Sequence, residues 1–462
     1  MRTVYSGPNW KLGAGNWHGA PKARNEEPRT MPIDVAAISL GALLIAIVVS
    51  CTTRIHVGFL AIALAWVVGV YVAGLSANAV MAGFPTRLFL TLAGVTLLFS
   101  QAQANGTLER VAYRAMRYCR GNVGVMPMMF FALAFVLSSI GPGNIAATAL
   151  VAPMAMAVAG QVGISAFLMA IMVGMGANAG SLSLIAPTGI IVNEVMATVG
   201  LAGFEWHTYI NNMMAHVVIA FSAYFLFGGW RLLGRYHAEA LVVPAGGVAG
   251  SDGRAADMSF GRHHLITLGV ITTLIGSVIF LDVHVGLGAF AGAILLSLLR
   301  AGDELKAVTI MPWRVIMMVC GVTVLISLLD ETGGMELFTN LLVRPMQIAP
   351  PTAVTAFSTG FISIYSSTSG VVLPAFLPTV PGLIEQLPGV EPLALASSMN
   401  VGGHLVDVSP LSTLGALCMA AAPTSEDSRA LFNKLMAWGF SMTVVGAVVC
   451  YLLFDVLRIG LG

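Results

Sequence analysis

From Met31 onward the chain is a succession of apolar stretches, each close to the roughly 20 residues that a helix needs to cross a bilayer, and this recurrence restricts the fold more than any motif does. Charged residues make up only 9% of the 462 residues and apolar ones 57%, whereas a soluble domain carries about 25% charged residues. Lipid is therefore the solvent for most of the surface. Lipid admits only helices or closed barrels, and runs of this length point to helices. We expect an all-α polytopic membrane protein, with the lipid bilayer as its first partner. The 22 Lys and Arg are scattered among short loops and leave a formal net charge of +1, so nucleic acid is excluded as a partner. Cys51, Cys119, Cys320, Cys418 and Cys450 stand far apart, without metal-ligand spacing, and read as packing residues.

Residues 1–32 are rich in Gly, Asn, Pro and charge and have no apolar core of the signal-peptide kind. A disordered tail is expected there. Because Met31-Pro-Ile-Asp34 leads directly into the apolar run from Val35, Met31 is an alternative translation start.

Self-comparison exposes a duplication. Asn105-Gly-Thr-Leu-Glu109, with Arg117 beyond, aligns with Thr332-Gly-Gly-Met-Glu336 and Arg344 at a spacing of 227. Asn144 with Pro153 aligns with Ser369 and Pro378 at 225, and Ala186-Pro187-Thr188 with Ser409-Pro410-Leu411 at 223. The expected domains are a first repeat at 33–230, a cytoplasmic linker at 231–262 and a second repeat at 263–462.

Each repeat reads alike. Three apolar spans (35–51, 57–74 and 84–104) precede a segment whose arginines, Arg110, Arg114, Arg117 and Arg120, fall at helical spacing. That segment is expected to lie on the membrane surface as an amphipathic arm. Two short apolar pieces, 124–139 and 145–160, joined by Ile140-Gly-Pro-Gly143, read as a re-entrant hairpin. A Gly/Ser/Pro-broken span at 164–195 and a last span at 208–228 follow. The second repeat has spans near 265–281, 283–299 and 311–329, an arm at 332–346, a hairpin at 349–384, a broken span at 393–421 and a last span at 433–457. If hairpins do not cross, each repeat crosses five times, and the odd number turns the second copy upside down. The fold class is thus two inverted repeats, each with five crossings, a re-entrant hairpin and a broken helix. Most Lys and Arg then fall on the cytoplasmic side with both termini outside, as the positive-inside rule favours.

Between Gly121 and Trp230, and between Pro345 and Ser428, there is no Lys or Arg. An anion bound there is held without a salt bridge from within those windows. Backbone supplies the alternative, because helices interrupted inside the bilayer present free N–H groups and a positive dipole end to carboxylates. The first hairpin tip is Ser138-Ser139-Ile-Gly-Pro-Gly143-Asn144-Ile145, and the second is Tyr365-Ser366-Ser367-Thr368-Ser369-Gly370. The simpler reading of such Gly and Ser is close helix packing, but packing does not predict breaks duplicated in one register.

Two hairpin tips, each followed nine residues later by Pro and then by a broken span, resemble the divalent anion transporters of the ion transporter superfamily, and among them the malonate and dicarboxylate carriers called MatC. The resemblance covers about residues 31–460. It implies a cation-coupled secondary transporter of a small dicarboxylate, malonate or a C4 acid, in a bacterial inner membrane. It also implies a homodimer whose hairpin domains move as elevators, with no cofactor beyond a coupling Na+ or H+. In that family a Ser-Asn-Thr motif at each tip binds substrate carboxylates and shapes sodium sites. Carried over, this implicates Asn144, Ile145, Pro187, Thr188, Thr368, Ser369, Gly370, Ser409 and Pro410 in substrate binding, with Val408 beside them. Ser139, Gly143, Asn144 and Ala186 would form a sodium site. The chain departs from the motif, with Gly-Asn-Ile at the first tip and Thr-Ser-Gly at the second. That loss weakens the case for sodium and favours protons.

His404 and Asp407 stand three apart in the second broken span, on one face if helical, opposite Ser181 and Leu184 of the first repeat at the 223 spacing. An ionisable pair at membrane depth is a candidate for proton coupling, unless the two merely satisfy one another. Glu194, His207 and His216 read as interfacial, and the methionine runs as adaptable packing. Cation/proton antiport is disfavoured, since Asp407 is the only acid between Glu391 and Glu426. A permease subunit served by a soluble binding protein is an alternative, as is the same architecture with another cargo. No sequence pattern of a metallohydrolase, serine hydrolase or phosphate-binding loop is present, so an enzyme is not expected.

Overall fold

The chain punctuates its apolar runs with caps, glycines and prolines, and helices form between these marks. The computed structural model describes residues 34–53, 55–116, 122–235, 259–281, 283–423 and 426–460. No strand occurs among the described residues. The expected tail at 1–32, Arg117, Arg120 and residues 236–258 of the expected linker lie outside them.

The first half contains α1 (Val35–Thr52), α2 (Val57–Val72, its last turns wound as π-helix), α3 (Ala77–Ala82), α4 (Thr86–Ala104) and α5 (Thr107–Met116). It continues with α6 (Met126–Ser139), α7 (Gly143–Val162), α8 (Ala166–Gly180), α9 (Pro187–Thr198) and α10 (Glu205–Leu226). The second half repeats the order: α11 (Arg262–Leu281), α12 (Val285–Leu298), α13 (Glu304–Ile310), α14 (Trp313–Thr332) and α15 (Gly334–Met346). Then come α16 (Pro351–Ser363), α17 (Thr368–Gln386, opening as π-helix), α18 (Pro392–Leu405), α19 (Thr413–Ala420) and α20 (Ser428–Val456). Two short helices, α3 and α13, were not expected. Each follows a side-chain cap, Ser76 accepting from the Ala79 N–H and Asp303 from the Lys306 N–H, at equivalent positions of the two halves.

By length and composition, α7, α10, α14, α17 and α20 are long and apolar enough to cross a membrane. Two of these correct an expectation. The second limbs of both hairpins, read from sequence as too short to cross, have 20 and 19 residues in α7 and α17. The first limbs are shorter, 14 residues in α6 and 13 in α16. Pro153 does not end α7, which runs to a left-handed Gly163.

Packing repeats with the order. Helix α6 lies on α8 and α16 on α18, while α8 contacts α10 and α18 contacts α20. Other contacts exchange partners between halves: α2 packs on α14 and α4 on α12, and α7 packs on α19 and α9 on α17. The exchanged crossings are built on glycine. A Cβ on Gly321 would strike the Gly58 carbonyl, and one on Gly94 would strike the Gly286 carbonyl, at equivalent positions of the two halves. Small residues of this kind let helix backbones touch.

The glycines also fix the register of the broken spans. A Cβ on Gly189 would meet the Ser183 carbonyl, and one on Gly415 the Ser409 carbonyl. The matching spacing there is 226, which corrects the 223 read from sequence. Ala186-Pro187-Thr188 therefore corresponds to Ser412-Thr413-Leu414, and His404 and Asp407 correspond to Asn178 and Ser181. The methionines behave as packing residues: Met126, Met154, Met156, Met169, Met172 and Met175 are all buried.

Candidate functional site

The first tip is a tight reversal between α6 and α7. Gly141 and Gly143 both have positive φ, 131° and 81°, which side chains with a Cβ rarely adopt. A Cβ at Gly141 would also enter the Phe99 ring. Asn144 follows in the first turn of α7 and is buried. Its Oδ1 accepts from the Ile145 N–H (3.0 Å) and its Nδ2 donates to Asn178 Oδ1 (2.8 Å). Asn178 in turn donates to the His404 carbonyl (2.8 Å), so the first tip is tied across to the second broken span. Ser139 faces another way. Its hydroxyl shares a hydrogen bond with Tyr209 Oη (3.0 Å), and its carbonyl accepts from Ser183 Oγ (2.6 Å). Ala186 is fully buried and precedes Pro187, whose ring touches the Gly143 position.

The second tip begins α17, where Ser367 caps the helix by accepting from the Gly370 N–H (3.1 Å). Thr368 Oγ1 donates to Asp407 Oδ1 (2.6 Å), with the Gly403 carbonyl at 3.2 Å. Asp407 sits in the break between α18 and α19, where its backbone carbonyl accepts from Ser412 Oγ.

Two cavities meet at the tips. One, of about 250 Å³, is lined by the second tip from Tyr365 to Ser369, by Asp407 and Ser412, and by Arg314. The other, of about 210 Å³, is lined by Gly141 to Ile145, by Pro187 and Thr188, and by residues of α4. Asn144, Ile145 and Ser369 belong to both walls. Thr368 lines the first cavity, while Gly370 is buried against Met318. Val408, Ser409 and Pro410 are buried behind the break and face neither cavity; Leu411, Ser412, Thr413 and Leu414, just beyond them, do. The three-residue difference in register accounts for this.

His404 does not pair with Asp407. Its Nδ1 donates to the Asn400 carbonyl (2.8 Å), and its ring faces that of His216, centroids 6.5 Å apart. His216 is fully buried, which corrects its interfacial reading, and its Nδ1 donates to the Asn212 carbonyl (2.8 Å). Since a carbonyl only accepts, both rings carry hydrogen on Nδ1. The Asn400 amide has no hydrogen-bond partner among the described residues. Glu194 accepts from Arg87 at 3.1 Å.

Arg314 escaped the sequence reading because it lies outside the two charge-free windows, in the first turn of α14. Folding brings it to the wall of the first cavity. The signal was present as Pro312-Trp-Arg314, a repeat of Pro85-Thr-Arg87. Among the described residues no cluster of three or more His, Cys, Asp or Glu could hold a metal ion.

Chemically, the site offers one Asn amide, several hydroxyls and two helix starts to an anion, with one carboxylate and one guanidinium in reach of the same cavity. The family model described as the dicarboxylate carrier protein MatC N-terminus matches residues 31–181, the stretch from α1 through the first tip to the start of the first break. No curated protein matches the chain by sequence. Among solved structures the chain is similar to MtrF of Neisseria gonorrhoeae, described as illuminating a class of antimetabolite efflux pumps. The TM-score is 0.56 over 92% of this chain and 96% of that one, at 12% identity, so the likeness concerns the fold alone. The match over 31–181 makes the chain similar to dicarboxylate carriers, and its apolar helices are those of a multi-pass membrane protein.

Proposed function

We propose that this protein is a secondary active transporter of small dicarboxylates, malonate or a C4 diacid, in a bacterial inner membrane. The observation that carries the reading is the position of Asn144 and Ser369, which form a shared wall between two cavities. A ligand held at such a wall meets both tips at once, and interrupted helices that converge in this way are where such carriers hold substrate. The family match over residues 31–181 supports a dicarboxylate as cargo. Uncharged donors at helix starts suit a carboxylate that must also leave again.

In this reading the two repeats are inverted, the hairpins are re-entrant, and the tip domains of a homodimer move as elevators against a scaffold that includes α2, α4, α12 and α14. The exchanged contacts of α2 with α14 and of α4 with α12 supply a tightly packed body for such a scaffold. The coupling ion is a proton taken up at Asp407, which lies on the cavity wall at the second tip. His404 is set back from that wall against His216.

The test is uptake of labelled malonate, succinate and citrate into proteoliposomes under imposed proton or sodium gradients. Accumulation of a dicarboxylate driven by a proton gradient is expected. No flux of any of the three removes the cargo assignment, and flux that requires sodium removes the proton. Export of a small organic anion is a second reading, favoured by the fold shared with MtrF. Inside-out vesicles loaded through the opposite face decide the direction.

A further inference from the structure

The duplication places an arginine at the same point in both halves. Pro85-Thr-Arg87 opens α4 and Pro312-Trp-Arg314 opens α14, each arginine being the second residue of its helix. A cation in the first turn opposes the helix dipole, so neither is there to stabilise its own helix. In the first half the charge is answered: Arg87 Nε lies 3.1 Å from Glu194 Oε1 on α9. At the 226 spacing of the broken spans, the counterpart of Glu194 is Ala420, the last residue of α19. The acid is missing from the second copy, and Arg314 has no ion-pair partner among the described residues. Its backbone is held, because the His56 ring donates from Nε2 to the Arg314 carbonyl (3.0 Å). The side chain is exposed, at the wall of the cavity that also contains Asn144, Ser369 and the serine-rich second tip. The acid in the same cavity, Asp407, is engaged by Thr368 rather than by Arg314.

We infer that Arg314 is the subsite for the second carboxylate of the substrate, and that it sets the preference for dianions over monoanions. One carboxylate is held by the Asn144 amide, the Ser369 hydroxyl and the helix starts at the tips. The other reaches the guanidinium, whose planar fork accepts a carboxylate through two parallel hydrogen bonds. The cavity of about 250 Å³ between these groups has room for a three- or four-carbon diacid. The ligand thus supplies to Arg314 the charge that Glu194 supplies to Arg87. A substrate with one carboxylate leaves the guanidinium unanswered and gains nothing from it.

This rests on the dicarboxylate reading, and the experiment separates the two. Binding of succinate and of its monoamide to the purified protein is compared for the wild type, Arg314→Gln, Arg314→Lys and Arg87→Gln, each checked for monodispersity and thermal melting. The wild type is expected to prefer succinate. Arg314→Gln should weaken succinate about tenfold or more, the scale of a charge-assisted pair near solvent, and leave the monoamide unchanged, so that the preference collapses. Arg314→Lys should restore part of it, and Arg87→Gln should not alter it. If Arg314→Gln keeps the full preference, the assignment of Arg314 is overturned while the dicarboxylate reading stands. Should Arg314→Gln not fold, a reduced preference in Arg314→Lys supports the assignment, because Lys keeps the charge but lacks the fork, and an unaltered preference there overturns it. A wild type that binds succinate no better than the monoamide removes both.

Discussion

Asn144 is committed at both ends of its amide, yet each end keeps capacity for a ligand. Oδ1 has a second lone pair beyond the Ile145 N–H, and Nδ2 has a second hydrogen beyond the one given to Asn178. Its orientation is therefore fixed before substrate arrives, which reduces the ordering cost of binding. Asn144→Ala should lose a hydrogen bond to a charged ligand, worth about 1.5–3 kcal/mol, or roughly ten- to a hundredfold in affinity. Ser369→Ala should act in the same direction with a smaller effect, since a hydroxyl is one donor where the amide also tethers Asn178. Isothermal titration with malonate and succinate on both variants measures this, and unchanged affinity in both removes the tips as the site. Asn178→Ala tests the tether itself. It strips Asn144 of its partner without touching either cavity wall, so affinity should fall while the preference for dianions set by Arg314 stays.

At the scale of helices, the crossings that join the two halves tolerate no added atoms where backbone meets backbone. Gly321→Ala in α14 would push a methyl into the Gly58 carbonyl, and Gly94→Ala in α4 would do the same at Gly286. Overpacking of this kind costs about 1–3 kcal/mol, so both variants should melt lower in detergent. Gly41→Ala and Gly276→Ala, with open space around the added carbon, should melt no lower than wild type. The limits of these helices were legible in the sequence because apolar runs and Gly/Pro breaks act locally: α4, α6 and the broken pair α8 and α9 lie within a few residues of their expected spans. The register of the broken spans was not legible. It depends on which glycine sits against which carbonyl, Gly189 on Ser183 and Gly415 on Ser409, whereas the Pro shared by Pro187 and Pro410 points to a register three residues away. Arg314 and His216 were hidden for a related reason. Each is brought to its neighbours by packing between elements distant in sequence, α14 against α2 and α17, and α10 against α18.

For the molecule as a whole, coupling requires one group that both the proton and the substrate influence. In the proposed mechanism that group is Asp407, which lines the cavity shared with Asn144 and Ser369 and whose carboxylate receives the Thr368 hydroxyl of the second tip. On that proposal a proton on Asp407 removes a negative charge from the wall before a dianion enters. The two events are linked reciprocally, as binding free energies must be. Carrying the proton and the dianion together would also lower the net charge moved through the low-dielectric region, where an uncompensated charge is costly. Asp407→Asn imitates the protonated state permanently. The variant should bind and exchange substrate, because counterflow needs no net movement of protons, but it should not accumulate substrate against a gradient. Reconstituted in proteoliposomes under an imposed proton gradient, wild type should concentrate labelled dicarboxylate, while Asp407→Asn should only equilibrate it and still exchange label for unlabelled substrate inside. Accumulation that survives in the variant assigns the proton elsewhere, with the buried His216–His404 pair as the next candidate. Double substitution to His216→Asn and His404→Asn would then abolish accumulation, whereas with Asp407 as the carrier it leaves the driven flux in place.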